Sequence, residues 1–214
     1  TLAGRDMSAV ISDMDQPLGY AVGNALEVKE AIATLNGNGP EDLRELVLVL
    51  TSLMVVKAGK AKDIREARIL LEETLDSGKA LQVMKEWIVA QGGTAEEVEH
   101  PDLLPQALCQ EAVCAEKSGF VTKIHTEEIG RICMLLGGGR AKKGDPIDLS
   151  VGLVLRKKVG DPVHSGESLA ILHANDREKL AEAKERLLKA YEIKKEPIAV
   201  RPLIWEILDG TEAE

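Results

Sequence analysis

The first residues that could do chemistry are two aspartates, Asp13 and Asp15, in an irregular loop near the start of the chain. The loop, residues 13–23, follows the apolar run 9–11, which predicts a buried strand, and precedes a helical pattern that begins near Asn24. Such a loop is a usual place for a site in an open α/β protein, although it carries neither a dinucleotide-binding nor a Walker glycine pattern. Paired carboxylates could serve acid–base chemistry, but they also accept hydrogen bonds from loop N–H groups. We favour this second, loop-structuring role.

A second candidate is the glycine-rich run 137–140, which ends in Arg140 and is followed by Lys142 and Lys143. The backbone N–H groups of such a turn can cradle a phosphate, and the basic side chains would add positive charge. The run follows a predicted helix instead of preceding one, so it lies at the negative end of that helix. We therefore interpret it as a helix C-cap and a close backbone approach between domains, which Arg140 could pin together.

The histidines and cysteines carry no recognisable chemical motif. They are His100, His125, His164, His173, Cys109, Cys114 and Cys133. The histidines share no metal-ligand spacing, and no neighbouring serine or cysteine indicates a nucleophile pair. We expect structural or solvated roles for the histidines, and reduced structural thiols of a cytosolic protein for the cysteines.

The composition excludes two classes of partner. The chain has 214 residues, 44% of them hydrophobic but only 2% aromatic, and a formal net charge of −9. This acidic balance argues against nucleic acid and against an anionic membrane surface, since both bind basic patches. No apolar run approaches the length of a transmembrane helix. We interpret the short basic run 156–158 as a solvated turn or an ion-pairing surface.

Hydrophobic spacing predicts a mostly helical segment over residues 1–104. Asn24 is the expected N-cap of the first helix, with Glu27 in capping-box position. The helix after Pro40 is apolar nearly all round, which predicts a buried, central position. Two more helices are expected at about 62–77 and up to the glycines 92–93, the first of them with Gly78 as its C-cap.

After a linker at 100–105 the spacing becomes strand-like, so we expect an α+β domain over residues 105–214. The predicted strands are 110–115, 120–125, 147–150, 151–156 and 168–173, with a final strand near Pro202. A short helix is expected at 128–136, and Asn175, with Glu178 in box position, is the expected cap of a long helix. The predicted fold class is therefore α/β followed by α+β.

Three stretches resemble the pyrimidine-nucleoside phosphorylase and thymidine phosphorylase family: residues 12–28, 136–140 and 151–161. The resemblance covers nearly the whole chain. It implies only the C-terminal half of such an enzyme, because the family's Lys-His-Ser-Thr-Gly-Gly phosphate loop and its Arg…Ser-x-x-x-Lys base-binding set are absent here. The implied fold is the C-terminal part of the phosphorylase α/β domain followed by a barrel-sandwich-like α+β domain.

The resemblance also implies an activity and a metal. The family phosphorolyses pyrimidine nucleosides to the free base and pentose 1-phosphate, as a cytoplasmic homodimer. It binds a potassium ion through positions that correspond to Leu18, Ala21 and Glu30. The carboxylate of Glu30 could equally be solvated and paired with Lys29. Because the phosphate- and base-binding groups are expected elsewhere, we predict that this chain alone is catalytically inactive.

Two other functions remain open. Residues 160–173 are similar to the pattern of biotinyl and lipoyl carrier domains, which would make the second domain a non-catalytic barrel-sandwich module. Asp176 stands where such a carrier has its modified lysine, which argues against that chemistry. A phosphoribosyltransferase-like enzyme would need a diphosphate-binding glycine loop, which the sequence lacks.

Overall fold

The computed structural model describes residues 7–209, which form a mixed α/β structure with small antiparallel sheets. The strands are β1 (Ser8–Ser12), β2 (Ala21–Val22), β3 (Cys109–Cys114), β4 (Gly119–Ile124), β5 (Gly152–Leu155), β6 (Pro162–Val163), β7 (Ser168–Ala174), β8 (Tyr191–Lys194) and β9 (Ile204–Asp209). The α-helices are α1 (Asn24–Leu35), α2 (Glu41–Lys57), α3 (Ile64–Asp76), α4 (Lys79–Ala90), α5 (Glu96–Glu99), α6 (Thr126–Cys133) and α7 (Arg177–Ala190).

The strands form three sheets, and no sheet closes on itself within the described part of the chain. One has the order β2-β5-β7-β3, a second has the order β6-β4-β8, and the third pairs β1 with β9. The first sheet joins a strand from the start of the chain to strands from its second half. No helix among residues 7–209 is long and apolar enough to cross a membrane.

The hydrophobic core lies in the strand-rich part, between Ala107 and Ile193. Side chains from the four-stranded sheet, such as Leu153 and Leu172, are fully buried together with Leu187 of α7. Burying an aliphatic side chain of this size contributes about 1.5–3 kcal/mol, so this cluster is the main source of folding free energy.

The predicted burial of α2 is wrong. Leu48, Ser52 and Leu53 are buried, but Met54 is 68% exposed and Val47 is 41% exposed. An apolar helix is buried on all sides only where other elements surround it, and the described element that packs most extensively against α2 is α3. The strand at residues 9–11 is confirmed, but its predicted burial is also wrong, since Ile11 in the two-stranded sheet is 46% exposed.

Two details of the strand-rich part also differ from the sequence-based expectations. Residues 147–150 form no strand, because the Asp148 carboxylate accepts hydrogen bonds from the N–H and hydroxyl of Ser150 and closes a local turn. The N-cap of α7 is Asp176, whose side chain accepts hydrogen bonds from Glu178 N and Lys179 N, and not Asn175.

The domain boundary near residue 105 stays a prediction. The structure adds two links across it: β2 joins β5, and β9 returns to pair with β1. The outermost positions of the two predicted domains lie outside the described residues.

Candidate functional site

Loop 13–23 is irregular apart from the two residues of β2, as the sequence indicates. Glu30, in the second turn of α1, folds back over it. One of its carboxylate oxygens, Oε1, accepts hydrogen bonds from Tyr20 N at 2.9 Å and from Ala21 N at 3.0 Å. The alternative of a solvated Glu30 paired with Lys29 is therefore not what the structure shows.

The carbonyl of Ala21 faces the same side as Glu30. In β2, Ala21 lies opposite Val154, while the neighbouring Tyr20 carbonyl accepts a hydrogen bond from Leu155 N at 2.8 Å. In an antiparallel pair, residues that exchange hydrogen bonds alternate with residues whose N–H and C=O groups both point to the other edge. Ala21 is of the second kind, since its N–H donates to Glu30. Its carbonyl oxygen therefore lies on the open edge with that carboxylate.

The carbonyl of Leu18 is oriented by the peptide group that it shares with Gly19. The Gly19 N–H donates to Asp42 Oδ2 at 3.2 Å. A trans peptide directs its N–H and C=O to opposite sides, so the Leu18 oxygen points away from Asp42. The carbonyls on either side of it, those of Pro17 and Gly19, accept hydrogen bonds from Lys158 instead.

Two features of Glu30 are consistent with a carboxylate that can still bind a cation. Partial burial raises the pKa of its carboxyl, as does the negative charge of Asp42, while the hydrogen bonds from Tyr20 and Ala21 lower it. Its second oxygen, Oε2, accepts no hydrogen bond from the described residues and lies against Gly19. Because Gly19 has φ 66°, a side chain there would be strained and would also collide with this carboxylate.

The start of α1 differs by one residue from the expectation. Gly23 is the N-cap, and its N–H donates to Glu27 Oε1 at 2.9 Å, although Glu27 lies one position beyond the capping-box position. Asn24 is the first helical residue, so its amide is free to donate to the Gly138 carbonyl at 2.9 Å. This bond links α1 to the glycine run.

The glycine run is a helix end, as expected. Gly137 has φ 113° and terminates the wide turn Met134–Gly138 that follows α6. Arg140 does not pin the domains, since its Nε donates to the Asp145 carbonyl of its own loop at 3.2 Å. The contact is made by Asn24 and by the close approach of Gly23 to Gly152, where added side chains would meet backbone.

Asp13 and Asp15 structure their loop. Asp13 Oδ1 accepts a hydrogen bond from Asp15 N at 3.2 Å, and the Asp15 carboxylate pairs with Arg201.

Two of the histidines lie near charged side chains. His125 Nε2 lies 3.1 Å from Glu192 Oε1. Burial lowers the pKa of His173, as do the positive charges of Lys29 and Arg156. Within residues 7–209 no cluster of three or more His, Cys, Asp or Glu side chains could hold a metal ion.

The cysteine thiols are free. Burial raises the pKa of the Cys133 thiol to about 11, so it is protonated at neutral pH and unsuited to be a nucleophile.

The sequence did not reveal two groups that hold the loop, Lys158 and Asp42. The ammonium of Lys158 lies 2.9 Å from Asp42 Oδ2 and donates hydrogen bonds to carbonyls of the loop. Local sequence patterns could not predict these bonds, because 139 residues separate Lys158 from Gly19. Gln16 adds a further tie, since its Oε1 accepts a hydrogen bond from Val159 N at 2.9 Å. The one available signal in the sequence was that Lys158 belongs to the basic run 156–158, which we interpreted as a solvated turn or an ion-pairing surface.

Comparison with known proteins gives two family matches. Residues 1–81 match the α/β domain of a glycosyl transferase family, and residues 120–194 match the pyrimidine nucleoside phosphorylase C-terminal domain. The chain is 50% identical over 203 residues to the pyrimidine-nucleoside phosphorylase of Geobacillus stearothermophilus, covering 95% of this chain and 47% of that protein.

Further relatives agree with this match. The chain is 58% identical over 172 residues to the Bacillus subtilis pyrimidine-nucleoside phosphorylase and 55% identical over 172 residues to that of Staphylococcus aureus strain N315, covering 80% of this chain and 40% of each protein. The chain thus spans about half the length of the curated relatives that it matches.

Proposed function

Because this chain belongs to the pyrimidine-nucleoside phosphorylase family, we propose that it is part of an enzyme that converts a pyrimidine nucleoside and phosphate to the free base and pentose 1-phosphate. Phosphate attacks the anomeric carbon while the base departs, through an oxocarbenium-like state. That reaction needs cations beside the phosphate and hydrogen-bond donors beside the departing base. We place those groups outside this chain, which supplies a cation loop and the C-terminal domain.

The cation loop is the role that the geometry supports best. We propose that Leu18 O, Ala21 O and the Glu30 carboxylate bind a potassium ion. The observation that carries this proposal is the position of Glu30: Oε1 is held by two loop N–H groups, and Oε2 lies free over Gly19, on the edge that the Ala21 carbonyl faces. A hard alkali cation prefers such oxygen ligands, and a carboxylate supplies the compensating charge.

For the second domain we propose a barrel-sandwich-like arrangement. Its support is that the sheets β2-β5-β7-β3 and β6-β4-β8 share one core, to which Val113 and Leu172 contribute from the first sheet and Val121 and Ile193 from the second. A carrier role is not favoured, because Asp176 in the place of the carrier lysine caps α7. The parent enzyme is proposed to be a cytoplasmic homodimer.

The activity is tested by exchange with a relative. The matching segment of the Geobacillus stearothermophilus enzyme is replaced by residues 1–214, and phosphorolysis of uridine and thymidine is measured. We expect activity from the chimera and none from the chain alone. A folded but inactive chimera would contradict the proposed parent activity, and turnover by the isolated chain would contradict its predicted inactivity.

The cation loop is tested by thermal unfolding of the chain in potassium chloride and in choline chloride at equal ionic strength. A bound ion stabilises the folded state by mass action, so the melting temperature should be higher in potassium. Glu30→Gln should remove the difference. Glu41→Gln is the matched control, since Glu41 lines the same cleft, whereas the N–H groups of Gly19, Tyr20 and Ala21 donate to Asp42 and Glu30. Equal melting temperatures in both salts would refute the site.

A further inference from the structure

Lys158 lies in the turn between β5 and β6, yet its side chain is only 12% exposed. Its ammonium donates to the carbonyls of Pro17 and Gly19, the latter at 2.7 Å, and lies 2.9 Å from Asp42 Oδ2. It also lies 5.6 Å from the centre of the Tyr20 ring. The ammonium thus donates hydrogen bonds to two carbonyl oxygens and forms an ion pair with one carboxylate oxygen, so three oxygen atoms of the protein surround it.

These contacts set the direction of successive peptide groups in the loop. The Pro17 and Gly19 oxygens point to Lys158, and the Gly19 N–H points to Asp42, the acidic partner of Lys158. In the peptide group between Gly19 and Tyr20, the oxygen therefore accepts a hydrogen bond from Lys158 and the N–H donates one to Glu30. Because peptide groups are planar, fixing these atoms fixes the Leu18 oxygen on the side away from the ammonium.

We propose that Lys158 is a positioning residue for the cation loop. Its ammonium acts as a built-in cation that gathers the Pro17 and Gly19 oxygens on one side and leaves the Leu18 and Ala21 oxygens for a mobile cation on the other. This inference rests on the potassium site proposed above. It assigns a function to a lysine 139 residues away in sequence, in a part of the chain that contributes no proposed ligand.

The charges around the loop explain why a fixed cation is useful. Carbonyl dipoles that converge on one point repel one another, and Glu30 and Asp42 add two carboxylates. A permanently attached ammonium offsets this repulsion, so the loop can keep its shape before potassium binds. The Lys158 side chain is only 12% exposed, so water screens these charges little.

Lys157 is a matched control on the neighbouring position. Its side chain is 16% exposed, and its ammonium donates to Pro162 O at 2.9 Å and pairs with Glu167, within the strand-rich part. Lys157→Met therefore removes the same charge as Lys158→Met, from a side chain that is buried to a similar degree, but it removes no contact with the loop.

The first test measures amide hydrogen exchange in the chain without potassium. In Lys158→Met, the Gly19 and Tyr20 amides should exchange at least about tenfold faster than in the wild type, while Lys157→Met leaves them unchanged. The double variant Lys158→Met/Asp42→Asn removes the carboxylate that the single variant leaves unpaired, and it serves if the single variant unfolds. It is measured at the Tyr20 amide, whose acceptor is Glu30 and not Asp42, and exchange there should again be faster than in the wild type. Unchanged exchange at both amides in a folded variant would overturn the proposal.

The second test adds the ion. Lys158→Ala should weaken potassium binding at least about tenfold, and millimolar methylammonium should restore it by taking the place of the missing ammonium. A merely structural lysine would show no such rescue. If the wild type shows no response to potassium, the proposed cation site fails, and the exchange experiment still decides whether Lys158 orders the loop. If the wild type responds and Lys158→Ala binds potassium equally well, the positioning role is wrong while the cation site stands.

Discussion

The strand-rich part of the chain and its helical part use similar proportions of apolar residues in different ways. Between Ala107 and Ile193 one continuous cluster of buried, mostly aliphatic side chains forms the core. On α2 and α4 comparable side chains remain open to solvent: Met54 is 68% exposed and Trp87 is 62% exposed. An apolar sequence pattern therefore predicts which face of a helix or strand is apolar, but the neighbouring elements determine whether that face is buried.

The two parts also differ in what joins their elements. In the strand-rich part, buried contacts between sheet and helices carry the packing, whereas α2 and α3 are tied by an Arg68–Glu45 pair with two short N–H···O bonds, of 2.8 and 2.6 Å. Loop 13–23, for which we propose a cation site, lies where the two parts meet, held by Lys158 on one side and by Glu30 of α1 on the other. We therefore expect stability to depend on the strand-rich core, and the loop to depend on contacts across the junction.

The largest expected effect distinguishes the two parts directly. Leu172→Ala removes a fully buried side chain and should lower the free energy of unfolding by about 2–5 kcal/mol, because it leaves a cavity. Leu70→Ala, at a position on α3 that is 41% exposed, should cost less than about 1 kcal/mol. Urea denaturation measures both. Equal losses would show that the helical part is as tightly packed as the core.

The next effect concerns the junction. Gly152→Ala places a Cβ against the Val22 carbonyl at φ 150°, so it should cost about 1–3 kcal/mol and loosen β2. Gly130→Ala is the matched control: Gly130 lies in α6 with open space around it, and alanine should stabilise the helix by up to about 1 kcal/mol. Thermal unfolding compares the two. A Gly152→Ala variant as stable as the wild type would mean that β2 and β5 do not approach as closely as described.

A third prediction concerns pH and the proposed cation. Burial raises the pKa of Glu30, so this carboxyl takes up a proton at a higher pH than an ordinary glutamate. Without potassium, the raised pKa means that protonation stabilises the fold as the pH falls through it. Potassium binding requires the ionised form, so the affinity should decline on acidification and the ion should release a proton. Calorimetric titrations in buffers of different ionisation enthalpy measure that release, and its absence would separate Glu30 from the ion.

The smallest effect belongs to the helical part. Hydrogen bonds from Arg68 lower the pKa of Glu45. The pair contributes stability above the unfolded pKa of glutamate, which is lost as the pH falls through the lowered folded pKa. Because both side chains are partly exposed, Glu45→Gln should cost less than about 1 kcal/mol, and less still in high salt. A larger loss, independent of salt, would show that α2 and α3 rely on this pair more than on apolar contact.

The strands β3, β4, β5 and β7 and the long helix α7 were predictable, because alternating and helical hydrophobic spacing agree there with turn residues. Predictions of caps failed by one residue. Gly23 and Asp176 each cap the helix next to an asparagine that instead bonds a distant partner. The strand β8 was missed because it follows α7 directly at Tyr191, with no glycine or proline to mark the change. These outcomes depend on tertiary partners that local patterns do not contain.

The candidate site was predictable to a similar degree. The resemblance implied that Glu30 lies beside the loop, and the structure places it there, in the second turn of α1. Nothing in the local sequence indicated that Lys158 and Asp42 would hold the opposite side of the loop. Contacts over such separations follow from how the two parts of the chain meet, which spacing along the sequence does not encode.

The proposed cation site can be observed directly by anomalous diffraction from crystals of the chain grown with thallium(I) in place of potassium. We expect one strong peak within bonding distance of Leu18 O, Ala21 O and the Glu30 carboxylate, and no peak at the Lys158 ammonium. A loop without a peak, or a peak bound to the Pro17 and Gly19 oxygens with Lys158 displaced, would show that the site is wrong.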